Sequence, residues 1–202
     1  MSNFPPNKLK AIDAAIVEFQ DNGFKQTSMS SIAKATGISK KELRTYFDNK
    51  DDVFKYVFLE LYGRIAPQLQ DIMDGEMPVR EKIRHFIHNY VTFINDYHFL
   101  PLGLIRKLNS KTDFATEFIV NLRMPDPTKF YEQIESEIDK GRIRKINPKQ
   151  LMINIFALSV FPHVASPLMM DFIGAGNDEF EMIKKEGKTQ VADFILNAIE
   201  IH

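Results

Sequence analysis

The spacing of the apolar residues is the feature that most constrains this chain. Apolar side chains recur every three or four positions along most of the 202 residues, as in the stripe Leu9, Ile12, Ile16 and Phe19. This is the period of an α-helix that buries one face. The sequence contains no convincing pair of strands with alternating polarity. It therefore predicts an all-α fold.

Local signals set the boundaries of the predicted helices, most clearly near the N-terminus. Gly23 and Gly37 can adopt the left-handed conformation that ends a helix. Ser28 and Ser39 can cap the helices that follow them. The predicted helices cover 7–22, 29–36, 40–47, 50–73, 79–96, 101–109, 111–122, 126–140, 148–172 and 178–200.

Charge is distributed unevenly along the chain. The formal net charge is −1, from 26 basic and 27 acidic residues. The first fifty residues hold eight Lys or Arg and five Asp or Glu, a net charge of +3, so the remainder carries −4. A basic head on a mildly acidic body favours an anionic partner for the head.

Patterns for catalysis and metal binding are missing from the sequence. The absence of cysteine excludes disulfides, cysteine-based zinc sites and thiol nucleophiles. Neither Gly-x-Ser-x-Gly nor His-Glu-x-x-His occurs, and Glu81, His85 and His88 have no evident fourth metal ligand. We therefore expect no catalytic residues, no metal and no cofactor. A helical enzyme that takes an apolar substrate is the alternative from another functional class.

The chain has no uninterrupted apolar run of the length that crosses a bilayer. Its first residues lack the basic start and apolar segment of a signal peptide. We therefore expect a cytoplasmic protein that does not insert into a membrane.

Residues 27–47, TSMSSIAKATGISKKELRTYF, have the pattern of a helix-turn-helix. Two short helices that cross at a steep angle need a small residue at their contact and a tight turn, which Ala33 and Gly37 supply. The start of the second helix is where such a motif reaches base edges. The side chains available there are Ser39, Lys40, Lys41, Arg44 and Thr45.

The same region resembles the TetR family of transcriptional regulators. The resemblance depends on GFKQTSMSSIA at 23–33, TGISK at 36–40 and YFDNKDDVF at 46–54. It implies a three-helix DNA-binding head over residues 1–50 and a helical effector-binding and dimerisation body over residues 51–202. The implied function is that of a ligand-responsive regulator, most often a homodimeric repressor of a palindromic operator in double-stranded DNA.

The resemblance also implies residue roles in the head. Phosphate contacts are expected from Thr27, Ser28, Tyr46 and Lys50. Glu42 stands where the family has a small residue, and it could either accept a hydrogen bond from a cytosine amine or cap its own helix, which is favoured. Because these positions vary, the operator sequence is not predicted.

The body is rich in Phe and Met, which can line an adaptable pocket or fill an ordinary core. With the resemblance, we expect a pocket for a small apolar or aromatic effector. Its expected residues are Phe86, Tyr90, Phe93, Phe118, Asn154 and His163. A DNA-binding protein without an effector is the alternative.

Residues 151–170 and the last helix are apolar around most of their circumference, which indicates burial on several sides. In the family the last two helices form a four-helix bundle with a second subunit. The expected dimer residues are Leu158, Phe161 and Ile195. Burial within a single chain is the alternative.

Overall fold

The computed structural model describes residues 4–108 and 124–201. For residues 107 and 108 it describes the backbone only. The described residues form ten α-helices and no strand, which confirms the all-α prediction. The helices are α1 Pro6–Gln26, α2 Met29–Thr36, α3 Lys40–Tyr46, α4 Lys50–Asp74, α5 Val79–Asp96, α6 Phe99–Leu108, α7 Thr128–Asp139, α8 Pro148–Val164, α9 Ser166–Ile173 and α10 Asn177–Ile199. The predicted helix over 111–122 lies outside the described residues.

The chain folds into two compact units. Among the described residues, the first contains 4–64 and 97–108, and the second contains 65–96 and 124–201. Helix α4 begins in the first unit and ends in the second. Helix α6, which the sequence assigned to the body, therefore belongs to the same unit as the helix-turn-helix.

Capping residues fix the ends of the short helices of the first unit, as the sequence predicted. The Ser28 hydroxyl accepts from the Ser31 amide at 3.0 Å, and the Ser31 hydroxyl accepts from the Ser28 amide at the same distance. Gly37, with φ 76° and ψ 20°, ends α2 in the left-handed conformation. At Gly23, where φ is 69°, α1 breaks and then continues for one short turn to Gln26.

Aromatic side chains form the core of the first unit where α1, α4 and α6 meet. The Phe99 ring of α6 lies 5.6 Å from Phe19 of α1 and 6.4 Å from Phe54 of α4. Gly103 brings α6 close to α4, because a Cβ at this position would lie 2.4 Å from Cζ of Phe54. Only glycine fits this approach without moving the buried ring.

Helix α5 is the centre of the second unit and packs against α7, α8 and α10. Its apolar stripe, which includes Ile83, Phe86, Ile87 and Val91, is buried. Arg84, beside this stripe, donates to the Asp193 carboxylate of α10 at 2.6 Å.

The predicted helix over 148–172 is wrong as a single element, because α8 and α9 meet at an angle of 85°. Pro167 has no amide proton to donate to the carbonyl of His163, so a continuous helix would lose a hydrogen bond there. The Ser166 hydroxyl donates to the carbonyls of Pro162 and His163 instead, at 2.7 and 3.2 Å. Among the described residues, no single helix is long and apolar enough to cross a membrane. Taken together, the bent pair α8 and α9 has the length and composition of a membrane span, and no other pair of described helices does.

Candidate nucleic-acid interface and effector site

The second helix of the helix-turn-helix presents its basic side chains to solvent. Lys40, Lys41 and Arg44 of α3 are exposed, whereas Leu43 is fully buried and fixes the orientation of the helix. Lys41 and Arg44 are three residues apart and therefore lie on the same helix face. This face can enter a DNA groove.

The two hydroxyl residues predicted to contact bases are also exposed. The Ser39 hydroxyl accepts from the Glu42 amide at 3.0 Å and so caps α3. The Thr45 hydroxyl donates to the Glu42 carbonyl at 2.7 Å. Each oxygen keeps a lone pair with which it can accept from a base, so both residues remain predicted base contacts.

Glu42 is directed towards α1. Its Oε1 accepts from Nδ2 of Asn7 at 2.9 Å, and the Tyr46 hydroxyl lies 3.5 Å from the same oxygen. The carboxylate makes no return bond to the Ser39 amide among the described residues, so only half of a capping box forms. The favoured expectation that Glu42 faces away from the bases agrees with this geometry.

The four predicted phosphate contacts differ in their surroundings. Ser28 is exposed at the N-terminus of α2, and because its oxygen accepts from Ser31, its own proton can be donated to a phosphate. Tyr46 is half-buried, and its hydroxyl is at the outer limit of hydrogen bonding to Glu42. Both remain predicted phosphate contacts.

Thr27 has a different role from the predicted one. Its side chain is 2% exposed, and its hydroxyl donates to the carbonyls of Glu18 and Gly23, both at 2.9 Å. These bonds close the break in α1 at Gly23. The hydroxyl therefore faces the protein interior in this structure, and a phosphate would have no exposed oxygen to contact.

Lys50 also binds within the protein. Its Nζ donates to the carbonyls of Phe24 at 2.7 Å, Thr27 at 2.8 Å and Lys25 at 3.3 Å, and it lies 4.5 Å from the centre of the Phe24 ring. The three protons of the ammonium group thus have three acceptors. Lys50 fastens the first turn of α4 to the last turn of α1 and to Thr27, and we call this arrangement the Lys50 clamp.

Comparison with known proteins agrees with this geometry. Residues 11–57, which span the helix-turn-helix and the first turns of α4, match the family described as "Bacterial regulatory proteins, tetR family". The N-terminal helices of this chain therefore carry the DNA-binding domain of the TetR family. They are those of a DNA-binding transcriptional regulator.

Two curated relatives from Bacillus subtilis extend the comparison. The fatty acid metabolism regulator protein is 27% identical over 97 residues, which are 48% of this chain and 50% of that protein. The chain thus spans half the length of this relative. The HTH-type transcriptional regulator YhgD is 23% identical over 155 residues, which cover 74% of this chain and 80% of YhgD.

Solved structures support the fold along the whole chain. The transcriptional regulator FadR from Bacillus subtilis, solved in complex with stearoyl-CoA, superposes with a TM-score of 0.66 and 19% identity. The superposition covers 96% of this chain and 99% of that one. At this identity the likeness shows a shared TetR-family fold and nothing about the ligand of this chain.

Among the described residues, the predicted effector residues lie in different surroundings. Phe86 borders a small apolar void of about 10 Å³, which has room for about one water. Tyr90 and Phe86 both pack against the ring of Phe156, at 5.1 and 5.7 Å. Phe93 is half-buried on α5, and Phe118 lies outside the described residues.

The two polar effector candidates lie on α8 but face different surroundings. Asn154 accepts from Nε2 of Gln150 at 2.9 Å within the same helix. His163 lines an open cleft of about 330 Å³ between α5, α8 and α10. The Ser159 hydroxyl also lines this cleft, is buried, and has no hydrogen-bond partner among the described residues. The cleft can therefore donate a hydrogen bond to an occupant.

One buried charge was missed by the sequence analysis. Lys82 of α5 is 3% exposed, and its Nζ donates to the Met73 carbonyl at 2.7 Å. Desolvation lowers the pKa of Lys82, an effect opposed by the nearby charges of Glu76 and Asp74 and reinforced by Lys129. The buried position of Lys82 could have been recognised from the sequence, because residue 82 falls within the apolar stripe of α5.

The predicted dimer residues divide between surface and interior. Leu158 and Phe161 of α8 are exposed. Ile195 is 3% exposed and packs in the core of its own chain, so its assignment to an interface is wrong. Its neighbour Phe194 is 63% exposed, because adjacent residues point in directions about 100° apart on a helix.

Within the described residues, no group of three or more His, Asp or Glu side chains is placed to hold a metal ion.

Proposed function

We propose that this TetR-family regulator is a homodimeric repressor that binds a palindromic operator and releases it when an apolar effector binds. The exposed basic face of α3 is the observation on which the DNA-binding half depends. Phosphate contacts from Ser28 and Tyr46 would set the position on the duplex, and Lys40, Lys41 and Arg44 would read bases. We also propose that residues 1–50 bind DNA and that residues 51–202 bind the effector and form the dimer.

An exposed apolar surface supports the dimer. Leu158 and Phe161 are three residues apart on α8, and Ile183 and Phe194 lie three turns apart on one face of α10. Leu158 and Ile183 line the same cleft, so the two exposed faces are neighbours. Large exposed apolar patches mark protein interfaces. We call these four residues the apolar face and propose that a second copy covers it.

Two subunits would place two recognition helices on one DNA duplex. A symmetric dimer binds two half-sites of opposite orientation, which is why a palindrome is the expected operator. A role on bacterial DNA would place the protein in the cytoplasm and requires no catalysis.

The names of the relatives suggest the class of effector. One relative regulates fatty acid metabolism, and a structural neighbour was solved with stearoyl-CoA. We therefore propose a ligand with a long alkyl chain for this protein. Such a ligand must bind the DNA-released form more tightly, and a tenfold loss of operator affinity requires a difference of about 1.4 kcal/mol.

The DNA half is tested by locating genomic binding sites through chromatin immunoprecipitation and then titrating a labelled duplex by fluorescence anisotropy. Arg44→Ala should weaken operator binding by about 1–3 kcal/mol and relax preference at one base pair. Lys149→Ala, which removes an exposed basic residue from the second unit, should change neither. Equal affinity of wild-type protein for operator and scrambled duplex would contradict the proposal.

The effector half is tested by adding stearoyl-CoA or free fatty acids to the preformed complex. Release of the duplex is the expected result. The alternative is a regulator without an effector. If no alkyl compound changes operator affinity, that alternative replaces the effector half and the DNA-binding half stands.

A further inference from the structure

A lysine lies where the core of the second unit is otherwise apolar. Lys82 contributes to the wall of the small void, whose other residues are Ile72, Met73, Ile83, Phe86, Phe130, Met152 and Ile155. The surface of this void is entirely apolar, so Lys82 borders it with its alkyl stem, and the ammonium group lies beside it at the carbonyl of Met73, another residue of the wall. This arrangement is not needed for DNA binding or for the apolar face.

Burying an ammonium group in such surroundings is unfavourable unless an anion compensates it. The acceptor that Nζ has here is the neutral Met73 carbonyl at 2.7 Å. Among the described residues, no carboxylate lies within the 4.0 Å of an ion pair with it. Asp74 and Glu76 are near enough to influence the charge but do not contact it. The buried cation therefore lacks a direct counter-ion.

We infer that Lys82 binds the carboxylate of a long-chain carboxylic acid, whose alkyl chain enlarges and fills the adjoining void. This inference rests on the proposed alkyl effector and specifies its head group. The cost of removing the ammonium from water is already met in the folded protein, so an incoming carboxylate gains a preorganised partner. Met73 and Met152 have flexible side chains that can move to admit the chain.

The position of Lys82 connects this site to α4. Met73 is the second-last residue of α4, and its carbonyl is one of those left without an intrahelical partner at a helix end. A carboxylate that takes a proton donor from Lys82 competes with that carbonyl. Binding of the acid therefore changes how the last turn of α4 is held.

Isothermal titration of the full-length protein with decanoate and with decanol separates the head group from the chain. The wild type should bind decanoate at least about tenfold more tightly than decanol. Lys82→Met, which keeps the length and removes the charge, should abolish this preference and leave decanol binding unchanged. Met152→Phe, which fills the void, should weaken both probes equally. Lys149→Met controls for loss of an exposed lysine from the same unit.

A third probe, decanoyl-CoA, distinguishes a free acid from its thioester. If Lys82→Met reduces decanoate binding but not decanoyl-CoA binding, the carboxylate is the recognised group. If Lys82 only caps α4, the variant will lower the melting temperature and keep the decanoate preference, which overturns the inference. Wild-type protein that binds neither decanoate nor decanol overturns it as well. Operator binding in the absence of ligand is measured separately, so failure here leaves the proposed DNA-binding function intact.

Discussion

Replacement of Lys50 by Met distinguishes the Lys50 clamp from the predicted phosphate contact. The change removes an ammonium group that donates to three carbonyls, at 2.7, 2.8 and 3.3 Å. A hydrogen bond from a charged donor contributes about 1.5–3 kcal/mol, but Lys50 is half-buried and water can reach the carbonyls that it leaves. The longest bond adds little. We therefore expect the free energy of unfolding to fall by about 2–3 kcal/mol in total.

Urea denaturation measures this loss, and anisotropy at several salt concentrations measures operator binding. A lost phosphate contact lowers the salt slope of binding by about 0.9, whereas a lost clamp displaces the head and lowers affinity with little change in slope. Lys25→Met is the matched control, because it removes an equal charge at an exposed position in the turn of α1 to which Lys50 binds. Unchanged stability combined with a reduced salt slope would refute the clamp and restore the phosphate contact.

Three other changes test separate parts of the structure. Gly103→Ala should destabilise the first unit by about 1–2 kcal/mol, because the added methyl group meets the Phe54 ring. The better helix propensity of Ala offsets only part of this strain. Thermal denaturation measures the loss, and unchanged stability would contradict the close packing of α6 against α4. Phe194→Glu should give a folded monomer in sedimentation, because an unpaired carboxylate in an apolar interface is costly. Thr189→Glu, at an exposed position on another side of the same helix, should remain dimeric. A dimeric Phe194 variant excludes the apolar face as the interface. The lowered pKa of Lys82 means that the unfolded chain binds more protons at this residue between that pKa and the ordinary 10.5, which favours folding as the pH rises. Burial raises the pKa of Tyr62 to about 12 and acts in the opposite direction above pH 10, so the effect of Lys82 is measured as a difference. In urea denaturation, the stability of the wild type relative to Lys82→Met should rise with pH in this window; a constant difference would contradict the lowered pKa.

Elements defined by local signals could be predicted from the sequence. The bounds of α2 matched the prediction, and α3 ended one residue before the predicted position. A serine cap and a glycine in the left-handed conformation act over four or five residues, so neighbouring sequence is sufficient to identify them. The bend at Ala165 was missed because the apolar pattern continues through it, although Pro167 marks the place where the hydrogen bonds must break.

The direction of individual polar side chains could not be predicted in the same way. Thr27 and Ser28 are adjacent hydroxyl residues, yet one closes the break in α1 and the other is exposed at a helix start. Which of them faces solvent depends on how α1 ends, which the pair itself does not encode. Ile195 and Phe194 present the same problem, because both fit an apolar helix and the packing of α10 against α5 decides which one is buried.

Lysine ammonium groups hold helix α4 at both ends, each within its own unit. Lys50 in the first turn of α4 donates to Phe24 in the last turn of α1 and to Thr27, and Lys82 of α5 donates to Met73 in the last turn of α4. A rotation of α4 about its axis would strain the bonds at one end or the other, since these contacts are only 2.7–2.8 Å long. An anion that competes for Lys82 would loosen the last turn and leave the Lys50 clamp intact.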